Sequence, residues 1–181
     1  MQGLILVNKP EGITSFKAVA TIKRLANNKR VGHTGTLDPI ATGVLPIFIG
    51  RATSLSGLLL DADKTYTATV KLGITTDTLD ITGEVLTSST PCVSEEELTT
   101  TINSFLGESL QVPPMYSALK VNGKKLYELA RAGKEVERQA RPVTIHEIEI
   151  LDIHLPVVKI RVACSKGTYI RTLCADIGEK L

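Results

Sequence analysis

A chain of 181 residues with 43% hydrophobic and 22% charged side chains has the make-up of one globular domain, or of one domain with an insertion. At this length about 70% of the unfolded surface can be buried, so no disulfide or metal is needed to close a core. The net charge of +2 says little about partners, and no stretch approaches the ~18 apolar residues of a membrane helix.

The chain opens on Leu4-Ile5-Leu6-Val7, too short an apolar run for a signal peptide and readable as a short buried strand. Thr14 or Ser15 is placed to cap a helix whose apolar positions Phe16, Val19, Ala20, Ile22 and Leu25 recur at helical spacing. Asn27-Asn28-Lys29 ends it. Residues 31–57 are rich in Gly, Thr and Pro and read as ordered loop, with a short strand or helix around Val44–Ile49. Tyr66 to Leu72 alternates as a strand with one buried face.

Asp77 to Gly83 is turn-like. Ser94 with Glu97 three residues on fits a capping box, and the helix it opens carries Leu98, Ile102, Phe105 and Leu106 as far as Gly107. Pro113-Pro114 breaks the chain. A second amphipathic helix is expected over Lys124–Ala132, ended by Gly133. Val143–Ile153 and Val157–Ser165 read as an antiparallel pair joined at Leu155-Pro156, and a final helix begins near Tyr169. Strands and helices in this mixed order indicate an α+β fold.

Cys92, Cys164 and Cys174 are odd in number and scattered, which suits a reducing compartment. A cytoplasmic protein is expected. Charge is unevenly placed: seven basic and three acidic residues lie between Lys120 and Arg141, a local +4 in a chain of +2. Such an excess suits either a polyanion-docking surface or a solvated helix face.

The densest segment is Gly32-His33-Thr34-Gly35-Thr36-Leu37-Asp38-Pro39-Ile40-Ala41-Thr42-Gly43. It is no phosphate-binding P-loop, because no Lys-Ser/Thr follows the glycines. It is no zinc motif, because His33 is the only nitrogen ligand within reach. What remains is one carboxylate, Asp38, biased toward extended backbone by Pro39. In isolation an Asp-Pro is most simply a turn aspartate bonding its own backbone. A second dense segment, Cys164-Ser165-Lys166-Gly167-Thr168-Tyr169-Ile170-Arg171-Thr172-Leu173, follows a strand and opens a helix. Lys166 and Arg171 suit anion contacts there, and Tyr169 suits stacking.

Five segments taken together resemble the successive motifs of the TruB family of pseudouridine synthases. They are Asn8-Lys9-Pro10-Glu11-Gly12, the Gly32–Gly43 loop, Lys64-Thr65-Tyr66, Met115 to Lys120 with Leu126-Tyr127, and Cys164 to Leu173. They keep the family's order over essentially the whole chain. The resemblance implies a pseudouridine synthase fold, a mixed and mostly antiparallel sheet flanked by helices. It implies isomerisation of uridine-55 in the T-arm of tRNA, without cofactor or metal and without a membrane. A monomer is expected.

Carried over residue by residue, Asp38 matches the essential aspartate, Tyr66 the tyrosine that stacks on the target base, and Arg171 the arginine that pairs with the aspartate. His33 matches the histidine that enters the T-loop. Lys9, Tyr169 and Lys64 match positions of the site. These types suit the chemistry. An extruded base costs a few kcal/mol, stacking returns ~1–3 kcal/mol, and a neighbouring guanidinium favours the ionised nucleophile. Attack at C6 of uracil and attack at C1′ of ribose both remain open.

In the family the region between the central strands and the Cys-Ser-Lys-Gly motif holds an RNA-gripping insertion, matched here by about 112–141. Lys120, Lys124, Lys125 and Arg131 are then expected on phosphates. Family members continue past the helix of Arg171 and usually add a PUA domain. The chain therefore reads as a catalytic domain incomplete at its C-terminus, with the PUA domain absent. The alternatives are a guide-RNA-dependent or rRNA synthase, or a non-catalytic RNA-binding fragment.

Overall fold

The computed structural model describes residues 1–181. They form two compact units, Met1–Ala62 and Asp63–Leu181.

The first unit is built on strands β1 (Gly3–Lys9), β2 (Val31–His33) and β3 (Gly43–Ile49), in the antiparallel order β1-β3-β2. Strand β1 is half-buried rather than buried: Ile5, Val7 and Lys9 point inward, whereas Leu6 is 68% exposed. Its apolar run is two-sided in sequence, but only one face is covered. Helix α1 (Ser15–Leu25) starts at Thr14, whose hydroxyl accepts the Lys17 N–H at 3.1 Å.

The buried stripe of α1 is Ser15, Ala18 and Val19, with Ile22 packed beside it. Phe16, at 75%, and Leu25, at 72%, face solvent, contrary to the expected core positions, and Ala20 is also exposed. The i, i+3, i+4 stripe begins one residue earlier than expected because Ser15 itself turns inward. Residues 43–49, expected as a strand or a helix, are a strand. They alternate over Leu45, Ile47 and Ile49, which oppose Val7, Ile5 and Gly3. A 3-10 turn (Gly50–Leu55) and a four-residue helix α2 (Gly57–Leu60) close the unit.

In the second unit the main sheet has the antiparallel order β4-β11-β10-β7, formed by β4 (Lys64–Lys71), β7 (Gly107–Gln111), β10 (Arg141–His154) and β11 (Val157–Cys164). Every strand pairing in the protein is antiparallel, so the expected mixed sheet has no parallel pair. Val158, Ile160, Val162 and Cys164 alternate inward along β11 and are fully buried.

Two helices cover that face. Helix α3 (Glu95–Asn103) brings Leu98 and Ile102, and α5 (Ile170–Lys180) brings Leu173 and Ile177. Each is an i, i+4 pair on one stripe, and each such side chain contributes about 1.5–3 kcal/mol on burial. The cap of α3 is as expected, Ser94 accepting the Glu97 N–H at 3.1 Å.

Two hairpins project from this frame, β5 (Ile74–Thr76) with β6 (Val85–Ser88), and β8 (Lys120–Val121) with β9 (Lys124–Lys125). The expected helix over 124–132 is therefore shorter. Lys124 and Lys125 belong to the hairpin, turned by Asn122 (φ 50°) and Gly123 (φ 79°), and helix α4 occupies Leu126–Arg131. An Asn-Gly pair supplies the two positive φ values of a tight hairpin turn, and it overrides the helical pattern of its neighbours.

Candidate active site

In the first unit the Asp38 loop is held on both sides of the aspartate. On the N-terminal side the Ser15 hydroxyl accepts the Leu37 N–H at 3.0 Å and donates to the Leu37 carbonyl at 3.2 Å. Ser15 is fully buried, so both bonds form away from water. On the C-terminal side the Pro39 carbonyl accepts from the Gly12 N–H at 2.8 Å and from Lys9 Nζ at 3.3 Å.

Lys9 is buried at the end of β1. Its ammonium also donates to the carbonyls of Pro10 at 2.8 Å and Ile13 at 2.9 Å. All three of its protons thus go to backbone oxygens, and a buried cation is retained only when satisfied in this way. Burial pushes the Lys9 pKa down, while the negative charges of Asp38 and Glu11 oppose that shift.

Asp38 itself is half-buried, and its carbonyl accepts the Ala41 N–H at 3.0 Å, closing the turn. Gly35 adopts φ 77°, which frees the chain to reverse after β2. The ring Nδ1 of His33 lies 2.7 Å from the Gly35 carbonyl oxygen. Against a carbonyl that nitrogen must be the donor, so a neutral ring keeps Nε2 as acceptor.

In the second unit Tyr66 sits on β4 opposite Val162 and packs half-buried on the core edge, two residues beyond Lys64. Arg171 lies in the first turn of α5 with its side chain 12% exposed. Its guanidinium donates to the carbonyls of Thr78 at 2.9 Å and Tyr116 at 2.8 Å. It also stands 3.9 Å from the Asp80 carboxylate, itself 12% exposed.

Asp80 accepts from the Thr82 N–H at 2.9 Å, from the Thr82 hydroxyl at 2.5 Å and from the Thr78 hydroxyl at 2.9 Å. Burial alone would raise its pKa. The Thr82 and Thr78 bonds, with Arg171 beside them, outweigh burial and hold it below the usual value. Asp80 was missed in the sequence, where residues 77–83 read only as a turn. A carboxylate with threonines two residues away on either side was the available signal.

The loop before α5 is ordered by its own bonds. Thr144 N–H donates to the Ser165 hydroxyl at 2.9 Å, and the Thr168 hydroxyl donates to the Ser165 carbonyl at 3.0 Å. Gly167 adopts φ 79° and Lys166 is exposed. Tyr169 caps α5 with no side-chain cap bond.

In the basic window Lys120 and Lys125 are cross-strand partners, and Lys124 is exposed beside them. The Tyr127 ring is flanked by two cations, Lys125 Nζ at 5.3 Å and Arg131 at 5.5 Å from its centroid. Two of the four expected phosphate ligands are thereby pre-oriented on an aromatic. A cavity of about 220 Å³ borders this hairpin, lined by Lys120, Arg138 and Arg141 among others. The structure thus clusters Tyr169, Arg171 and the missed Asp80 region in one unit, and Lys9, His33 and Asp38 in the other.

An antiparallel α+β frame that presents a doubly clamped aspartate loop defines a class, and comparison with known proteins specifies it. Residues 23–170 match the model of the TruB family pseudouridylate synthase (N terminal domain). The tRNA pseudouridine synthase B of Clostridium novyi (strain NT) is 59% identical over 181 residues, covering 100% of this chain and 63% of that protein. Its counterpart in Aromatoleum aromaticum (strain DSM 19018 / LMG 30748 / EbN1) is 54% identical, covering 100% of this chain and 59% of that protein.

Among solved structures, a chain in the crystal structure of a Cbf5-Nop10-Gar1 complex superimposes with a TM-score of 0.76 at 34% identity, covering 99% of this chain and 44% of that one. A chain in the structure of an H/ACA RNP bound to a substrate RNA containing 2'-deoxyuridine gives 0.72 at 31%, covering 99% and 43%. The chain belongs to the TruB family and has the pseudouridine synthase fold. It spans 63% of the length of the Clostridium relative.

Proposed function

We propose that the protein isomerises uridine-55 in the T-arm of tRNA to pseudouridine, with Asp38 as the nucleophile. The observation that carries this reading is the double clamp on the Asp38 loop. Ser15 grips the residue before the aspartate, and Lys9 with Gly12 grips the residue after it. A group that must meet a reacting atom within a few tenths of an ångström is expected on such a loop, because misplacement costs rate steeply.

The target base is taken out of the RNA stack and laid on Tyr66. The Asp38 carboxylate bonds to the substrate, either at C1′ as N1 leaves or at C6 of the ring before the N1–C1′ bond breaks; the uracil turns, C5 bonds to C1′, the bond to Asp38 breaks and regenerates its carboxylate, C5 loses its proton and N1 gains one. Atoms and electrons balance within the substrate, so no cofactor is required. Tyr66 takes the C5 proton in this reading. His33 enters the T-loop, while Tyr169 and Lys64 line the site. The basic hairpin at Lys120, Lys124 and Lys125, with Arg131, holds backbone phosphates. RNA recognition then rests on the shape of the folded loop.

Free tRNA is favoured over an RNA presented by a ribonucleoprotein. Identity is 59% and 54% to proteins named for tRNA, against 34% and 31% to chains of the Cbf5 and H/ACA structures. The test is tritium release from tRNA labelled at uracil C5, run on the full-length protein with a transcript carrying cytidine at position 55 as control. Release from the uridine transcript alone is expected. Equal release from both, or none, would reject the site assignment.

A further inference from the structure

Gln111 lies at the end of β7 and is 94% buried, since only 6% of its surface is exposed. Both polar atoms of its side-chain amide bond the main chain of one distant residue. Oε1 accepts the Tyr169 N–H at 2.7 Å, and Nε2 donates to the Tyr169 carbonyl at 3.1 Å. Those two groups belong to the two peptide planes that flank Tyr169, so one planar amide fixes the backbone on both sides of that residue. The same carbonyl accepts the Leu173 N–H at 3.0 Å and begins α5.

Helix α5 has no capping side chain of its own at Tyr169. Gln111 supplies from another strand the return bond to the cap N–H that a capping box would supply from within the helix. Arg171 answers in the opposite direction, donating to the Tyr116 carbonyl at 2.8 Å. Segment 111–116 thus lends a side chain to the backbone of segment 169–171, and segment 169–171 lends one back. This reciprocal clasp sets where the Tyr169 ring and the Arg171 guanidinium stand.

We infer that Gln111 is a positioning residue for the isomerisation, acting through Tyr169 and Arg171 without touching the RNA. The inference rests on the proposed function in assigning those two residues to the site. It does not follow from burial alone: an apolar side chain of the same length would fill the same space. A side-chain amide offers, without any charge, a donor and an acceptor side by side to the two peptide groups that flank one residue.

The test uses the full-length protein and Gln111→Met, which keeps length and volume but removes both polar atoms. With the tRNA assay, kcat falls 10-fold or more while KM changes less than 3-fold. Hydrogen exchange at the Tyr169 amide quickens at least 10-fold, and exchange at Ile160 in the core stays as in the wild type. Gln111→Glu is the second variant and also serves if Gln111→Met does not fold. It keeps the acceptor for the Tyr169 N–H, so that amide stays protected, and its kcat lies between the other two.

An unchanged kcat in Gln111→Met, a loss confined to KM, or unaltered Tyr169 exchange would overturn the inference. A wild-type protein inactive on uridine-55 would instead overturn the proposed function. The exchange measurement would still decide whether Gln111 fixes Tyr169.

Discussion

Lys9 and Pro39 lie 30 residues apart in sequence, yet Lys9 Nζ donates to the Pro39 carbonyl at 3.3 Å. A buried ammonium ties the end of the first strand to the residue that follows the candidate nucleophile. The same ammonium holds Pro10 and Ile13, so one side chain organises two turns.

Lys9→Met removes all three donors and takes from the Pro10 and Ile13 carbonyls the ammonium that held them. Destabilisation of about 2–4 kcal/mol is expected, the lower end reflecting relief of the buried charge. Chemical denaturation measures it. Loss of kcat should exceed what the unfolded fraction explains, because the Pro39 anchor is then held by Gly12 alone.

Ser15→Ala deletes both bonds to Leu37 and leaves α1 otherwise intact, since Thr14 is its cap. The expected cost is about 1–3 kcal/mol. Thr14→Ala, which loses an exposed cap, costs about 1 kcal/mol and leaves kcat unchanged. Comparing kcat in the two variants separates loop placement from helix stability.

Asp80→Asn tests the acidic partner of Arg171. The folded pKa of Asp80 is depressed, so its ionised form stabilises the fold. That contribution is fully present above the unfolded pKa of about 3.9 and is lost as pH falls through the lower folded value. The Tm gap between wild type and variant should therefore be wide at pH 7, equivalent to about 1–3 kcal/mol, and should narrow below pH 4. A gap independent of pH would show that charge is not what Asp80 contributes.

Gly83→Ala places a Cβ 2.3 Å from the Thr78 hydroxyl and 2.9 Å from the Thr78 backbone nitrogen. The 77–84 turn must shift, and with it the Thr78 carbonyl that Arg171 grips. About 1–3 kcal/mol of destabilisation is expected. Activity should fall further than in Gly178→Ala, where nothing lies within 4 Å of the added carbon.

Changing Lys124 and Lys125 together to Ala should weaken tRNA binding and flatten the slope of log affinity against log salt by about 1–2. Filter binding at several salt concentrations measures it. An unchanged slope returns this hairpin to a solvated surface.

Local pattern made much of the fold legible. The alternation from Tyr66 to Val70, the Ser94 cap and the β10–β11 pair all follow from neighbours in sequence. So do the glycine-bearing turns at Gly35 and Gly167, both at positive φ. What sequence did not reveal depends on side-chain bonds to distant backbone. Ser15 reads as a cap, but it reaches 22 residues to Leu37. Gln111 reaches 58 residues to Tyr169, and Arg171 reaches 93 to Thr78. Such bonds leave no periodicity, because each depends on how strands bring loops together. The 124–132 segment misled for the opposite reason: two residues, Asn122 and Gly123, outweighed the helical spacing that follows them.

The proposed isomerisation depends above all on the carboxylate of Asp38 as nucleophile. Full-length Asp38→Asn, which keeps size and shape but removes the charge, tests it most directly by tritium release and by RNA binding in parallel. No detectable turnover is expected, with tRNA affinity within about 3-fold of wild type, a gap of under about 0.7 kcal/mol in binding. Turnover at a substantial fraction of the wild-type rate would contradict it.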